Sequence, residues 1–183
     1  MGLGKRCGMR SESSHGEFPQ VYGAGPDDLA TTLSIVRRSI VAMRSAGVDQ
    51  WDDHYPDEST LADDIAAESL FLIRCEEQPV GLIVLNEHQE PEYGTVSWRL
   101  GGRVMVVHRL VIDPEFQRRG LATELMRFAE EWAIGVFDSI RLDAFAANPA
   151  AVSFYENLGY VRAGTVTFRK GEFVCFEKAV RHR

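Results

Sequence analysis

The stretch from residue 104 to residue 145 constrains the fold more than any other part of the chain. It opens with "VMVVHRLVI" (104–112), a run rich in β-branched residues that stops at Asp113-Pro114. From 119 to 134, Leu121, Leu125, Phe128, Ala129 and Trp132 recur at helical intervals, and Gly135 follows. "SIRLDAF" (139–145) then reads as a second strand. Strand, helix and strand in succession require a crossover, so the two strands become parallel neighbours in one sheet.

The flanking segments read as hairpins and amphipathic helices. "FPQVYGAG" (18–25) predicts a short strand, and a helix opening at Pro26 carries Leu29, Leu33, Val36, Ile40 and Met43 inward until Gly47. "VDQWDDHYPDEST" (48–60) is a loop; Ser59 or Thr60 is expected to cap a helix over roughly 60–69, with Leu61, Ile65 and Leu70 inward. "LFLIRCEE" and "PVGLIVLNEH", joined at Gln78-Pro79, predict a hairpin, and "TVSWRL" predicts a small strand within the loop 89–103. Near the end, Asn148 and Pro149 open a helix that Gly159 closes, and "YVRAGTVTF" and "EFVCFEKAV" form a last hairpin around "RKGE". The fold class is α+β: a mixed, mostly antiparallel central sheet of about six or seven strands, flanked by about four helices. Residues 1–17 are expected to form a disordered leader and 18–183 a single domain.

Lys and Arg number 20 against 27 Asp and Glu, a net charge of -7 that argues against a nucleic-acid partner. No apolar segment approaches membrane-spanning length, and no secretory signal follows Lys5 and Arg6. Cys7, Cys75 and Cys175 lack metal-ligand spacing, so free thiols in a reducing cytoplasm, without a metal, are expected.

The joint "DPEFQRRGLAT" admits two readings from its residues alone. It is a basic solvated turn, or a cradle in which free helix amides, Arg118 and Arg119 hold an anion, with Gly120 allowing close approach. It is neither a P-loop nor a dinucleotide fingerprint, because the further glycines and the lysine are missing.

"QRRGLA" (117–122) together with "NPAAVSFYENLGY" (148–160) resembles the GNAT superfamily of acetyl-coenzyme A-dependent N-acetyltransferases. The resemblance implies a GNAT-like fold in which Leu110, Val111 and Ile112 bind the pantetheine arm by their backbones. It implies that Gln117, Arg118, Arg119, Gly120, Leu121, Ala122 and Thr123 surround the diphosphate, and that Asn148 and Phe154 contact the cofactor. It implies direct transfer of acetyl to a primary amine of a small molecule or peptide through a ternary complex. The Leu110 amide would stabilise the oxyanion, and Tyr155 would protonate the leaving thiolate. The strand position where some members carry a basic Glu is Val106 here, so His108, two residues before Leu110 on the same strand face, is the base expected; the same residue equally suits a hydrogen-bonded core histidine. Trp51, Tyr55 and Trp98 are expected to wall the acceptor pocket, while Asp49, Asp52, Asp53 and Asp57 either draw a cationic amine or form a solvated loop. Arg141 and Asp143 read as a pair on a sheet face. The alternative class is a non-catalytic acyl-CoA-binding or regulatory module, and the protein is expected to be a monomer or homodimer.

Overall fold

Near-continuous apolar runs in the central strands bury both faces of one sheet, and the computed structural model shows how, over residues 19–181. The expected leader and Cys7 lie outside these residues. In chain order the elements are β1 (Gln20–Gly23), α1 (Leu29–Ser45), α2 (Glu58–Ala66), β2 (Leu70–Cys75), β3 (Gln78–Asn86), β4 (Val104–Ile112), α3 (Leu121–Ala133), β5 (Ser139–Phe145), α4 (Pro149–Asn157), β6 (Val161–Phe168) and β7 (Gly171–Ala179). The seven strands form one sheet in the order β1-β2-β3-β4-β5-β7-β6. Every neighbouring pair is antiparallel except β4 and β5, the parallel pair required by the crossover through α3.

The period of two assigns each strand residue to a side. Phe71, Ile73, Ile83, Leu85, Met105 and Val107 pack with Leu121, Leu125 and Met126 of α3 and Val152 and Tyr155 of α4. Leu70, Leu72, Leu82 and Val84 meet Leu33, Val36 and Ile40 of α1 and Leu61 and Ile65 of α2 on the other face. A third cluster, with Tyr93, Val106, Phe145, Val166 and Phe173, fills the β5–β7 end.

Three local expectations need correction. The cap of α2 is Asp57, whose carboxylate accepts from the Thr60 amide at 2.9 Å, and Leu70 begins β2 rather than ending the helix. Asp57 stands in extended backbone just before the first turn, where its carboxylate reaches the Thr60 amide, whereas Ser59 and Thr60 already lie inside the helix. The β2–β3 turn falls on Glu76 and Glu77, with Glu76 at φ 58°, and Gln78 and Pro79 belong to β3. "TVSWRL" forms no strand: residues Pro91–Thr95 make a short 3-10 turn, and the indole of Trp98 donates to the Tyr93 carbonyl at 2.9 Å.

Candidate active site

Two departures from regular geometry in β4 make the site. First, β4 pairs with β5 only at Val104–Val106 with Ser139–Arg141. Beyond Val106 the strands part, while β5 continues against β7 as far as Phe145. Second, β4 carries an extra residue against β3: Val84 faces His108 and Leu82 faces Val111, so Arg109 and Leu110 are the bulge. Arg109 adopts φ 49°, a left-handed conformation that costs a bulky L-residue roughly 1–2 kcal/mol.

The bulge inverts the alternation. Met105 and Val107 face α3, yet Val111 packs with the α1–α2 cluster, and Leu110 and Ile112 with the α3–α4 cluster. His108 therefore does not share a strand face with Leu110, contrary to the sequence expectation, because the inserted residue shifts parity between them. Both still line a cavity of about 370 Å³ that opens where β4 and β5 part. Trp51, Tyr55, Arg109, Asp143, Tyr155 and Phe168 are also in its wall.

His108 is mostly shielded, and its Nε2 lies 3.1 Å from Asn86 Oδ1 and 3.2 Å from the His88 carbonyl. Both neighbours are acceptors, since Asn86 Oδ1 already receives the His88 amide at 2.8 Å. Nε2 therefore carries the proton, and Nδ1 keeps the lone pair. Burial, with Arg109 beside it, pulls the imidazole down to about 4.

Asp143 does not pair with Arg141. Arg141 donates to Gln89 at 2.6 Å and to the Leu100 carbonyl at 2.8 Å, and its guanidinium lies 4.2 Å from the centre of the Trp98 ring. Asp143 instead accepts from the Tyr93 hydroxyl at 2.7 Å, and burial pushes its carboxyl up to about 6. Tyr155 is buried among Phe154, Tyr160 and Phe176, and burial holds its hydroxyl above the usual phenol range, so it keeps its proton. Trp98 lies off the cavity wall, in the third cluster against Tyr93, because its indole is committed to the 91–98 turn. The loop acids are committed too. Asp52 bonds Arg169 and Lys170, Asp49 bonds Lys170, Asp53 pairs with Arg44 and Asp57 caps α2, and none of the four lines the cavity.

At the other mouth of the gap stands the N-terminus of α3. Asn148 caps α4 by accepting from Ala151 at 3.2 Å, and Asp57 caps α2, but no side chain caps α3. Gly120 precedes it at φ 83°, and a Cβ there would meet nothing within 4 Å. The uncapped amides and the positive dipole end thus face open space. A second hollow of about 250 Å³ sits there, walled by Ile112, Gln117, Arg118, Gly120, Thr123 and Phe154 among others. Two predicted ligands serve the turn itself. Gln117 donates to the Ile112 carbonyl at 3.2 Å, and Arg119 donates to the Glu115 carbonyl at 2.8 Å.

The family model described as "Acetyltransferase (GNAT) family" matches residues 38–160. The chain belongs to the GNAT acetyltransferase family. The GNAT fold is equally plain in solved structures. A GNAT family acetyltransferase from Streptococcus agalactiae 2603 superposes with a TM-score of 0.81 at 21% identity, covering 90% of this chain and 96% of the other. Ard1 from Thermoplasma volcanium gives 0.70 at 16% identity over 90% and 99%. The ribosomal-protein-S18-alanine N-acetyltransferase from Escherichia coli gives 0.62 at 16% identity over 91% and 96%. No curated protein sequence matches the chain. Members of the GNAT family use acetyl-coenzyme A as cosubstrate. Among the described residues no cluster of three or more His, Cys, Asp or Glu could hold a metal ion, and no helix is long and apolar enough to cross a membrane.

Asp143, Tyr93 and Arg109 were not legible as site residues. An acid inside an apolar strand is a weak signal for Asp143; nothing in the sequence marks the bulge that exposes Arg109.

Proposed function

We propose that the protein transfers the acetyl group of acetyl-coenzyme A to a primary amine held in the cavity beside Leu110, in a ternary complex. The observation that carries this reading is the gap between β4 and β5, with an uncapped helix N-terminus at the hollow beside Ile112 and a cavity with proton-handling groups beside Leu110. The residues fit a diphosphate: Gly120 leaves its approach open, and the amides of Leu121, Ala122 and Thr123 lie in the first turn of α3. The edge of β4 beyond Val106, with Leu110, Val111 and Ile112, would pair with the amide groups of the pantetheine arm.

Acetyl-coenzyme A, when bound, supplies an acetyl thioester whose carbonyl carbon is open to attack. The Leu110 amide, without a β3 partner in register, would donate to the carbonyl oxygen as negative charge builds there. Tyr155, kept protonated by its burial, would give its proton to the departing sulfur. Asp143, at about 6, is ionised at neutral pH and still basic enough to take a proton from the bound ammonium, directly or through water, so that the neutral amine attacks. His108, at about 4, is neutral at the same pH but the weaker base, and its Nδ1 serves better as an acceptor that orients the amine.

Gly120→Glu tests the anchoring half of this reading. A carboxylate at that position would point into the diphosphate space, and calorimetry should show acetyl-coenzyme A affinity falling by at least about a hundredfold, near 3 kcal/mol. Unchanged affinity would mean that the α3 turn holds something else. Release of coenzyme A across an amine panel tests the transfer half.

A further inference from the structure

The cavity carries charge of both signs, and one of its cations makes no hydrogen bond among the described residues. Arg169 and Lys170 line it, but both are committed: Arg169 to Asp52 at 2.8 Å, and Lys170 to Asp49 at 2.8 Å and Asp52 at 3.0 Å. Arg109 differs. Its guanidinium makes no hydrogen bond among the described residues, although the side chain is only 13% exposed. The nearest carboxylate, Asp64, stands 3.3 Å from Nε without hydrogen-bond geometry, and each of those two atoms is left without a hydrogen-bond partner. Burial raises the Asp64 carboxyl in spite of the arginine, which fits weak pairing. Tyr55 backs the guanidinium at 5.6 Å from the ring centre.

A guanidinium carries five N–H donors, and the ion pair with Asp64 engages none of them in a hydrogen bond, so the fork is open to an acceptor that enters the cavity. The left-handed bulge at φ 49° is what puts Arg109 in the cavity wall, one residue from Leu110. Asp143 and Glu90 line the same cavity. At about 370 Å³ the space suits a small molecule.

Resting on the acetyl-transfer reading above, we propose that the acceptor is a small zwitterion, an amine that also bears a carboxylate, and that Arg109 is the seat of the carboxylate. The planar fork of the guanidinium meets a carboxylate through two parallel N–H bonds, while the amine turns toward Asp143 and the Leu110 bulge. A simple cationic amine would leave the Arg109 fork without a hydrogen-bond acceptor and be repelled by it.

The test uses binding, so it does not depend on turnover. N-acetyl amino acids, the products of such a reaction, are titrated calorimetrically beside their carboxamides. The best acid should bind at least about tenfold more tightly than its amide, and Arg109→Gln should bring that ratio to near unity, with Arg109→Lys intermediate. An amide that binds as well as its acid overturns the proposal, and so does a ratio unmoved by Arg109→Gln or a matched aminophosphonate that outbinds the carboxylate. Should Arg109→Gln not fold, the acid-to-amide ratio of the parent protein decides alone. Acids bound through Arg109, with no coenzyme A released from acetyl-coenzyme A in the presence of any amine, would sink the transfer reading and leave the carboxylate seat standing. Release that favours amines without a carboxylate would do the reverse.

Discussion

Asp143 and His108 border one cavity with pKa values moved in opposite directions, and this has consequences for stability as well as chemistry. An unfolded Asp titrates near 3.9, whereas Asp143 is held at about 6. Between those values the folded chain keeps a proton that the unfolded chain has lost, so this contribution to stability falls as pH rises. His108 runs the other way. Unfolded histidine titrates near 6.5 and the folded group at about 4, so between them the unfolded chain holds the extra proton and stability rises with pH. The two trends oppose one another over roughly pH 4 to 6. Asp143→Asn removes one of them while an amide oxygen can still accept from Tyr93. Thermal melts should show a gain of about 1–3 kcal/mol at pH 7 to 8, no gain near pH 4, and a steeper rise between. The same variant should lose most coenzyme A release, and with it the acidic limb near pH 6. If both profiles match the parent, Asp143 is neither desolvated nor the base.

The decisive element is β4, and its geometry is set by the neighbour on its antiparallel side. Gly81 of β3 pairs with Ile112, and a Cβ there would stand 2.8 Å from the Val111 carbonyl oxygen and collide with the Ile112 side chain. Only glycine allows β3 to approach β4 this closely beside the bulge. Gly81→Ala should therefore cost about 1–3 kcal/mol in urea unfolding, because the strands must separate. It should also weaken acetyl-coenzyme A binding, since Leu110–Ile112 move with β4; full affinity would show that the free edge of β4 is not used. The elements around this strand were readable because their signals are local. Asn148-Pro149 begins α4 and Gly159, at φ 83°, follows its end, as caps demand. "TVSWRL" was misread because its alternation is spent on a turn that Trp98 pins to Tyr93.

At the scale of the whole molecule, the cavity is closed by groups far apart in the chain. Asp52, on the loop between α1 and α2, is buried and bonded to Arg169 and Lys170 at the β6–β7 turn. These bonds hold its carboxyl well below the usual carboxylate range, so the stability it adds is present at neutral pH and is lost in strong acid. Asp52→Asn should loosen the wall formed by Trp51, Tyr55 and Phe168. Steady-state kinetics should then show the acceptor KM rising several-fold while calorimetry finds acetyl-coenzyme A affinity unchanged; an unaltered KM would mean the latch does not shape the pocket. By itself the sequence determined the order of strands and helices, the parallel crossover and the Gly120 turn, because each depends on residues adjacent in the chain. The tertiary structure alone decided that Arg109 is an inserted residue, that His108 and Leu110 stand on opposite faces, and that Asp143 meets Tyr93. Each of these depends on register between strands, and a single extra residue changes the side of the sheet on which everything after it lies.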